Sequence, residues 1–215
     1  MARMMTETGS NQGGPPPDEF DDFHGGGGDN HDDRGASRRN SLTGIVVLMC
    51  ASVMTFSAFI SAVVVRRGLG TEWRHLPLPE IFWWNTGILI LSSVVLDIAR
   101  RQIHKGKRTA FNWTWLAGTI LGAAFLVGQV IGWDQLQAEG FYVHGNSSSA
   151  FFYILTWAHA THAIAGLLAL IYVTIQAFRF SLGPAKRTAI TVSIVFWHFL
   201  DVLWLILMTL FILWW

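Results

Sequence analysis

Two pairs of ionisable side chains stand at helical spacing in the C-terminal third of the chain. His159 and His162 are three residues apart, and so are His198 and Asp201. Side chains at this separation lie on the same face of a helix. Imidazole nitrogens and a carboxylate are ligands that iron, copper and zinc accept. The four residues therefore raise the hypothesis of a metal site shared by two helices.

Three interpretations of these pairs compete. Di-iron bundles use ligand pairs at this spacing but also need several glutamates, whereas outside the N-terminal region this chain has only Glu72, Glu80 and Glu139, all at span edges or in loops. A haem held by one histidine from each helix is the second interpretation, but the bulky Trp197 and Phe199 leave little room for a porphyrin. Hydrogen bonds that hold helices in register require no cofactor, and we favour this third interpretation.

The pairs belong to a very hydrophobic chain. Of its 215 residues, 52% are hydrophobic and 13% are charged, which is too little polar surface for a water-soluble globule. A helical span of a bilayer needs about 20 consecutive apolar residues, and backbone in lipid must satisfy its own hydrogen bonds. Five continuous stretches qualify, at about 44–65, 81–99, 115–133, 150–177 and 189–213. The predicted fold class is all-α, a polytopic membrane helical bundle with five transmembrane helices.

The first 43 residues have a different composition. They contain three consecutive prolines, a run of four glycines and most of the acidic residues. Such a segment cannot bury enough apolar surface to form a core. We expect a disordered acidic, Gly/Pro-rich cytoplasmic tail over residues 1–43, which stays attached to a membrane domain over residues 44–215 because no signal-peptide pattern precedes it. Cys50 is the single cysteine, so a disulfide within the chain is excluded.

Basic residues are distributed unevenly among the predicted loops. The N-terminal segment, the second loop and the fourth loop share one side of the membrane and carry most of the Lys and Arg residues. The first loop carries Arg66, Arg67 and Arg74, and the third loop and the C-terminus carry none. Because basic residues of short loops stay cytoplasmic, we expect the N-terminus inside and the C-terminus outside, on the periplasmic side. The membrane topology accounts for the basic residues, so they do not indicate a nucleic-acid partner.

Several short runs of residues within the spans are more informative than the overall composition. Residues 196–204 read FWHFLDVLW, and residues 156–166 read TWAHATHAIAG after SAFF at 149–152. Residues 85–93 read NTGILILSS, and Gln129 is followed four residues later by Trp133. Together these runs resemble subunit III of the haem-copper terminal oxidases. The run in the last span is similar to that family's W-H-F-x-D-x-x-W signature, and the resemblance covers most of residues 44–215.

The chain also departs from the family's pattern. Ser52 stands where the first retained span of the family has a glutamate, and Gly132 stands where the Q-x-x-E-[YW] helix end has another. Trp157 replaces a usual glycine. The family's glutamates are linked to the proton-uptake side of the complex, so the resemblance does not extend to a proton-antenna role for this chain. The usual form has two further N-terminal spans, and without them a complete lipid cleft is not expected.

The resemblance implies a non-catalytic accessory subunit of a proton-pumping respiratory oxidase that reduces dioxygen to water. Haem and copper would lie in partner subunits I and II and not in this chain, which would stabilise subunit I and support its proton uptake in a bacterial inner membrane. Membrane lipids, including bound phospholipid, and other respiratory complexes are further expected partners. The residues expected to make polar contacts between helices or subunits are Asn85, Thr86, Gln129, His159, His162, His198, Asp201 and Trp204.

Two functions from other classes remain open at this point. An accessory protein of a nitric oxide reductase would have the same subunit III-like fold but a different catalytic partner. A stand-alone membrane metalloprotein would hold its own iron or copper through the histidine pairs. The choice between cytochrome c and quinol as electron donor is not made by this subunit, because the donor docks elsewhere.

Overall fold

The computed structural model describes residues 29–69, 79–142, 147–179 and 184–214. These residues form five helices, α1 (Asp29–Leu69), α2 (Ile81–His104), α3 (Arg108–Ala138), α4 (Ser147–Phe178) and α5 (Pro184–Trp214). No strand occurs in these ranges. Each helix contains a stretch that is long and apolar enough to cross a membrane. The predicted all-helical class with five transmembrane helices is confirmed.

Helix α1 is longer than the predicted first span. Its apolar part runs over Thr43–Leu69, but the helix begins at Asp29, inside the segment for which composition predicted disorder. Forming the first turn is the costly step of helix formation, and further turns are added to an existing helix at little cost. Residues 29–43 are therefore helical, and the rest of the predicted tail, residues 1–28, lies outside the described residues.

A tight turn joins α2 to α3. The backbone N–H of Lys105 donates to the carbonyls of Arg101 and Gln102. The N–H of Lys107 donates to the carbonyl of Gln102 at 3.1 Å. Gly106 occupies the left-handed region at φ +74°, a conformation that glycine adopts without steric cost. The short connection makes α2 and α3 an antiparallel hairpin, and these two helices pack together more extensively than any other described pair.

Glycines on α3 let side chains of neighbouring helices approach its backbone. A Cβ atom built at Gly118 or Gly132 would lie 2.8 Å from the side chain of Leu96 or Phe82 on α2. A Cβ atom at Gly122 would lie 2.8 Å from the indole of Trp197 on α5. Small residues allow such close approach between membrane helices, where van der Waals packing replaces the hydrophobic driving force. Helix α3 is thus contacted closely by both α2 and α5.

Side-chain hydrogen bonds connect α3 to α4 at several levels along the two helices. The indole N–H of Trp115 donates to the Leu170 carbonyl at 3.2 Å. The hydroxyls of Thr119 and Thr174 lie 3.2 Å apart, and the indole N–H of Trp133 donates to the Thr156 hydroxyl at 3.2 Å. These contacts define the register of the two helices.

Helix α1 packs more loosely than the other four. Of its residues, Ser52, Phe56 and Val63 are buried, while most others along the apolar part are exposed. The Phe56 ring lies 5.6 Å from the imidazole of His162 on α4. Near the end of α1, the Arg66 guanidinium is 3.5 Å from the Ser147 hydroxyl at the start of α4. The exposed side of α1 is therefore available to lipid or to another protein.

The close contact at Gly122 leads to a first prediction. Gly122→Ala should lower the free energy of unfolding by about 1–3 kcal/mol, since the added methyl group overlaps the rigid, buried Trp197 ring. Thermal unfolding of the purified protein in detergent measures the effect. The matched control is Gly87→Ala on α2, where no atom lies within 4 Å of the new methyl group. Equal melting temperatures of the two variants would contradict this account of the α3–α5 contact.

Candidate functional site

Asn85 and Gln129 join α2 to α3 deep in the bundle. Both side chains are almost completely buried. The Asn85 amide nitrogen donates to the Phe125 carbonyl at 3.0 Å and to Gln129 Oε1 at 3.4 Å. Gly128 lies directly against the Asn85 amide, where even a methyl group would collide with it. The absence of a side chain at Gly128 therefore makes room for the polar contact between the helices.

Thr86 and Trp204 join α2 to α5. The indole N–H of Trp204 donates to the Thr86 hydroxyl at 3.0 Å, and that hydroxyl in turn donates to the Phe82 carbonyl of its own helix at 2.8 Å. Trp204 is fully buried. The Trp204 ring also meets the Phe125 ring of α3 edge to face, with centroids 5.3 Å apart. One tryptophan thus contacts α2 through its polar edge and α3 through its ring.

His159 of α4 packs against the same aromatic group. Its imidazole is completely buried, 5.0 Å from the Trp204 ring and 6.0 Å from the Phe125 ring, measured between centroids. Neither ring nitrogen has a hydrogen-bond partner within the described part of the chain. Within the described residues, His159 of α4 therefore contacts α3 and α5 through the faces and edges of its ring.

His162 faces a different neighbour. Its Nδ1 lies 2.7 Å from the Ala158 carbonyl of the same helix, and its ring packs against Phe56 of α1. His159 and His162 are thus close in sequence but contact different helices. Among the described residues, no group of three or more His, Cys, Asp or Glu side chains is placed to hold a metal ion. The structure does not bring the four predicted ligands together.

His198 and Asp201 of α5 meet two residues of α2. The His198 Nε2 lies 3.3 Å from Asp97 Oδ1, and its Nδ1 lies 3.5 Å from Asp201 Oδ2. The Ser93 hydroxyl donates to Asp201 Oδ2. Asp97 and Ser93 were not among the predicted contact residues. Their spacing of four residues, which places them on one face of α2, was the signal that could have identified them.

The family of the chain follows from comparison with known proteins. Residues 36–215 match the family model for cytochrome c oxidase subunit III. The chain belongs to the subunit III family. Cytochrome c oxidase subunit 3 of Thermostichus vulcanus is 31% identical over 175 residues, which are 78% of this chain and 84% of the relative. Cytochrome c oxidase subunit 3 of Corynebacterium diphtheriae is 32% identical over 170 residues, 75% and 82% of the two chains.

A relative from a quinol oxidase matches a shorter region. Cytochrome bo(3) ubiquinol oxidase subunit 3 of Pseudomonas aeruginosa is 36% identical over 129 residues, 58% of this chain and 60% of the relative. Subunit III proteins of both oxidase types are therefore similar to this chain. With five helices able to span a membrane, the chain is a multi-pass membrane protein and a subunit III of the haem-copper oxidases.

The structure shows what occupies the positions at which this subunit III departs from the family's pattern. The buried Ser52 hydroxyl donates to the Leu48 carbonyl of its own helix at 2.8 Å. The Phe82 ring lies against Gly132, so a longer side chain there would overlap the ring. Trp157 is mostly exposed and stacks on Trp133, with centroids 6.2 Å apart and planes 17° apart. Neither position thus carries an ionisable side chain. Ser52 is neutral and bonded within its own helix, and the Phe82 ring occupies the space beside Gly132.

The Trp204 contact leads to a second prediction. Thr86→Val should lower the free energy of unfolding by about 0.5–1.5 kcal/mol, because the buried indole N–H of Trp204 loses its acceptor while the side-chain volume is nearly unchanged. Thermal unfolding in detergent again provides the measurement. Thr161→Val is the control, since the exposed Thr161 hydroxyl bonds to the Trp157 carbonyl one turn earlier on its own helix. A loss of stability as large in Thr161→Val would mean that the interhelical bond has no special effect.

Proposed function

We propose that the chain is the non-catalytic accessory subunit of a proton-pumping respiratory haem-copper oxidase in a bacterial inner membrane. It packs against the catalytic subunit I, with subunit II as a further partner in the complex, and those two subunits hold the haem and copper. The observation that carries the proposal is the family match over residues 36–215, which includes all five apolar stretches. The names of the relatives supply the type of complex.

The contacts of the polar side chains support a structural role. Asn85 and Gln129 contact each other, Thr86 accepts from Trp204, and the buried His159 is enclosed by aromatic rings. Polar groups within a membrane span are costly, and hydrogen bonds between helices reduce that cost. In this proposal these side chains hold the helices together through contacts with one another.

Support of proton uptake follows indirectly from this role. Ser52 and Gly132 offer no ionisable group at the positions where the family has acids. The chain therefore acts on proton uptake by keeping subunit I and its surrounding lipid in place. The exposed apolar side chains of α1, such as Met54 and Val65, are suited to contact with phospholipid or a neighbouring subunit.

A third prediction concerns cofactor content. The isolated chain, purified from a host that lacks the other subunits, should show no haem Soret band and no stoichiometric iron or copper by elemental analysis. The complex purified through a tag on this chain from its native membrane should contain haem and copper and should consume oxygen. Stoichiometric metal in the isolated chain would support a stand-alone metalloprotein instead. If the chain instead copurified with a nitric oxide reductase that lacks oxygen-reducing activity, its partner would be that complex and not an oxidase.

A fourth prediction concerns loss of the chain. Deletion of its gene should lower the yield of assembled oxidase, or leave an enzyme whose initial rate per haem is close to normal but which loses activity several-fold faster during turnover. The physical reason is that an uncovered face of subunit I loses ordered lipid and packing contacts. Oxygen consumption followed over many turnovers measures the decay, and re-expression of the chain should restore it. Unchanged yield and unchanged decay would exclude a stabilising role.

A further inference from the structure

Trp197 of α5 carries a buried hydrogen-bond donor that no described residue satisfies. Its side chain is almost completely buried, and its indole Nε1 has no hydrogen-bond partner within the described part of the chain. Trp115 is buried to the same degree, but its indole N–H donates to the Leu170 carbonyl. A buried N–H without an acceptor is costly, because it has lost its bond to water and gained none in exchange. The Trp197 N–H therefore requires an acceptor.

Asp201 carries an unpaired acceptor on the same helix. The Ser93 hydroxyl donates to Asp201 Oδ2, and His198 Nδ1 lies 3.5 Å from that same oxygen. The other carboxylate oxygen, Oδ1, is buried and has no hydrogen-bond partner among the described residues. An ionised carboxylate offers acceptors on both of its oxygens. Helix α5 thus buries one unpaired donor and one unpaired acceptor.

The two residues share one face of α5. Asp201 follows Trp197 by four residues, and residues at this spacing on a helix have Cβ atoms about 5–6 Å apart. No direct hydrogen bond joins Trp197 Nε1 to Asp201 Oδ1, since both atoms are without a partner in the described structure. The donor and the acceptor are therefore neighbours that do not touch.

The contacts of the Trp197 ring show which way its N–H points. A Cβ atom built at Gly166 of α4 would lie 3.2 Å from Cε3 of the ring, and one at Gly122 of α3 would lie 2.8 Å from Cζ2 and Cη2. Nε1 lies across the indole from Cε3, so the N–H faces away from α4. Helix α2 packs on that other side of α5, where its Ser93 meets Asp201. The N–H thus faces the side of α5 that carries the free carboxylate oxygen.

The pairing of one donor with one acceptor selects the chemistry of what lies between them. A metal ion cannot accept from an N–H, and an anion is repelled by a carboxylate. A water molecule accepts on one side and donates on the other, and such bridges are nearly as favourable as direct hydrogen bonds. Buried waters that join otherwise unpaired polar groups are a regular part of folded proteins, at about one for every 27 residues.

We infer that one water molecule is bound inside the bundle between Trp197 Nε1 and Asp201 Oδ1. It accepts from the indole N–H and donates to the carboxylate. Asp201 is bonded to Ser93 of α2, and the Trp197 ring lies against Gly122 of α3. The water therefore links the polar contact between α2 and α5 to the packing contact between α3 and α5. The inference concerns the interior of this chain and does not depend on the proposed oxidase partners.

Nuclear magnetic resonance on the full chain in detergent tests the inference. With isotope-labelled tryptophan, the indole N–H resonance of Trp197 is identified by its absence from Trp197→Phe. In the wild type it should show a nuclear Overhauser cross-peak to water with the sign of a long-lived, buried molecule. Trp115 is the matched control, since its equally buried N–H donates to a carbonyl and should show no such cross-peak. A missing cross-peak at Trp197, or an equal one at Trp115, would overturn the inference.

The Ser93 hydroxyl calls for a second control. Its proton exchanges with bulk water, so a signal relayed through it could imitate a bound water. Ser93→Ala removes this hydroxyl and should keep the cross-peak of the Trp197 N–H. Loss of the cross-peak in Ser93→Ala would assign the signal to the hydroxyl and would contradict a bound water.

Substitution of the acceptor tests the bridge itself. Asp201→Leu removes both carboxylate oxygens at similar side-chain volume, so the water cross-peak of Trp197 should disappear while the Trp115 resonance stays unchanged. A persistent cross-peak would mean that the carboxylate does not hold the water, and the bridge would be wrong.

A high-resolution structure of the wild-type protein decides the inference even if Asp201→Leu fails to fold. Density for a single water within about 3.2 Å of both Trp197 Nε1 and Asp201 Oδ1 is the expected result. A direct hydrogen bond between the two side chains, or a protein group filling the space between them, would overturn the inference.

Discussion

Close approach of side chains to the backbone of α3 is the contact on which the rest of the bundle depends. Lipid chains are as apolar as leucine, so helices in a membrane gain little from burying apolar surface and associate through packing and hydrogen bonds. Glycines at 118, 122, 128 and 132 admit Leu96, Trp197, Asn85 and Phe82 to the surface of α3. Because those side chains come from both α2 and α5, one helix organises the packing of its neighbours.

This arrangement explains why residues from separate sequence motifs lie together. Asn85 is admitted by Gly128 and then reaches Gln129 and the Phe125 carbonyl. Phe125 in turn forms part of the aromatic group around His159 and Trp204. Residues that appear in separate runs of the sequence thus belong to one continuous contact between α2, α3, α4 and α5. A signature shared by a family need not mark a reaction centre, since the same residues can preserve how four helices fit together.

The surfaces that remain open differ in character. Helix α1 buries Ser52, Phe56 and Val63 and exposes apolar side chains elsewhere, which suits lipid as well as protein. The α2–α5 side carries the partly exposed ionisable side chains of Asp97 and His198. The two open surfaces thus differ in polarity, since the first is apolar and the second contains ionisable groups.

The sequence alone determined the helical class, the number of spans and the subunit III resemblance, because lipid requires long, continuous apolar helices and the signature runs are local. It did not determine where α1 begins, since a helix formed in the apolar span continues to Asp29 through residues with no apolar pattern. Nor did it determine which polar side chains meet. His159 and His162 share a spacing but contact different helices, and Asp97 finds His198 on another helix. Such pairings depend on how helices rotate and approach, which only the tertiary structure decides.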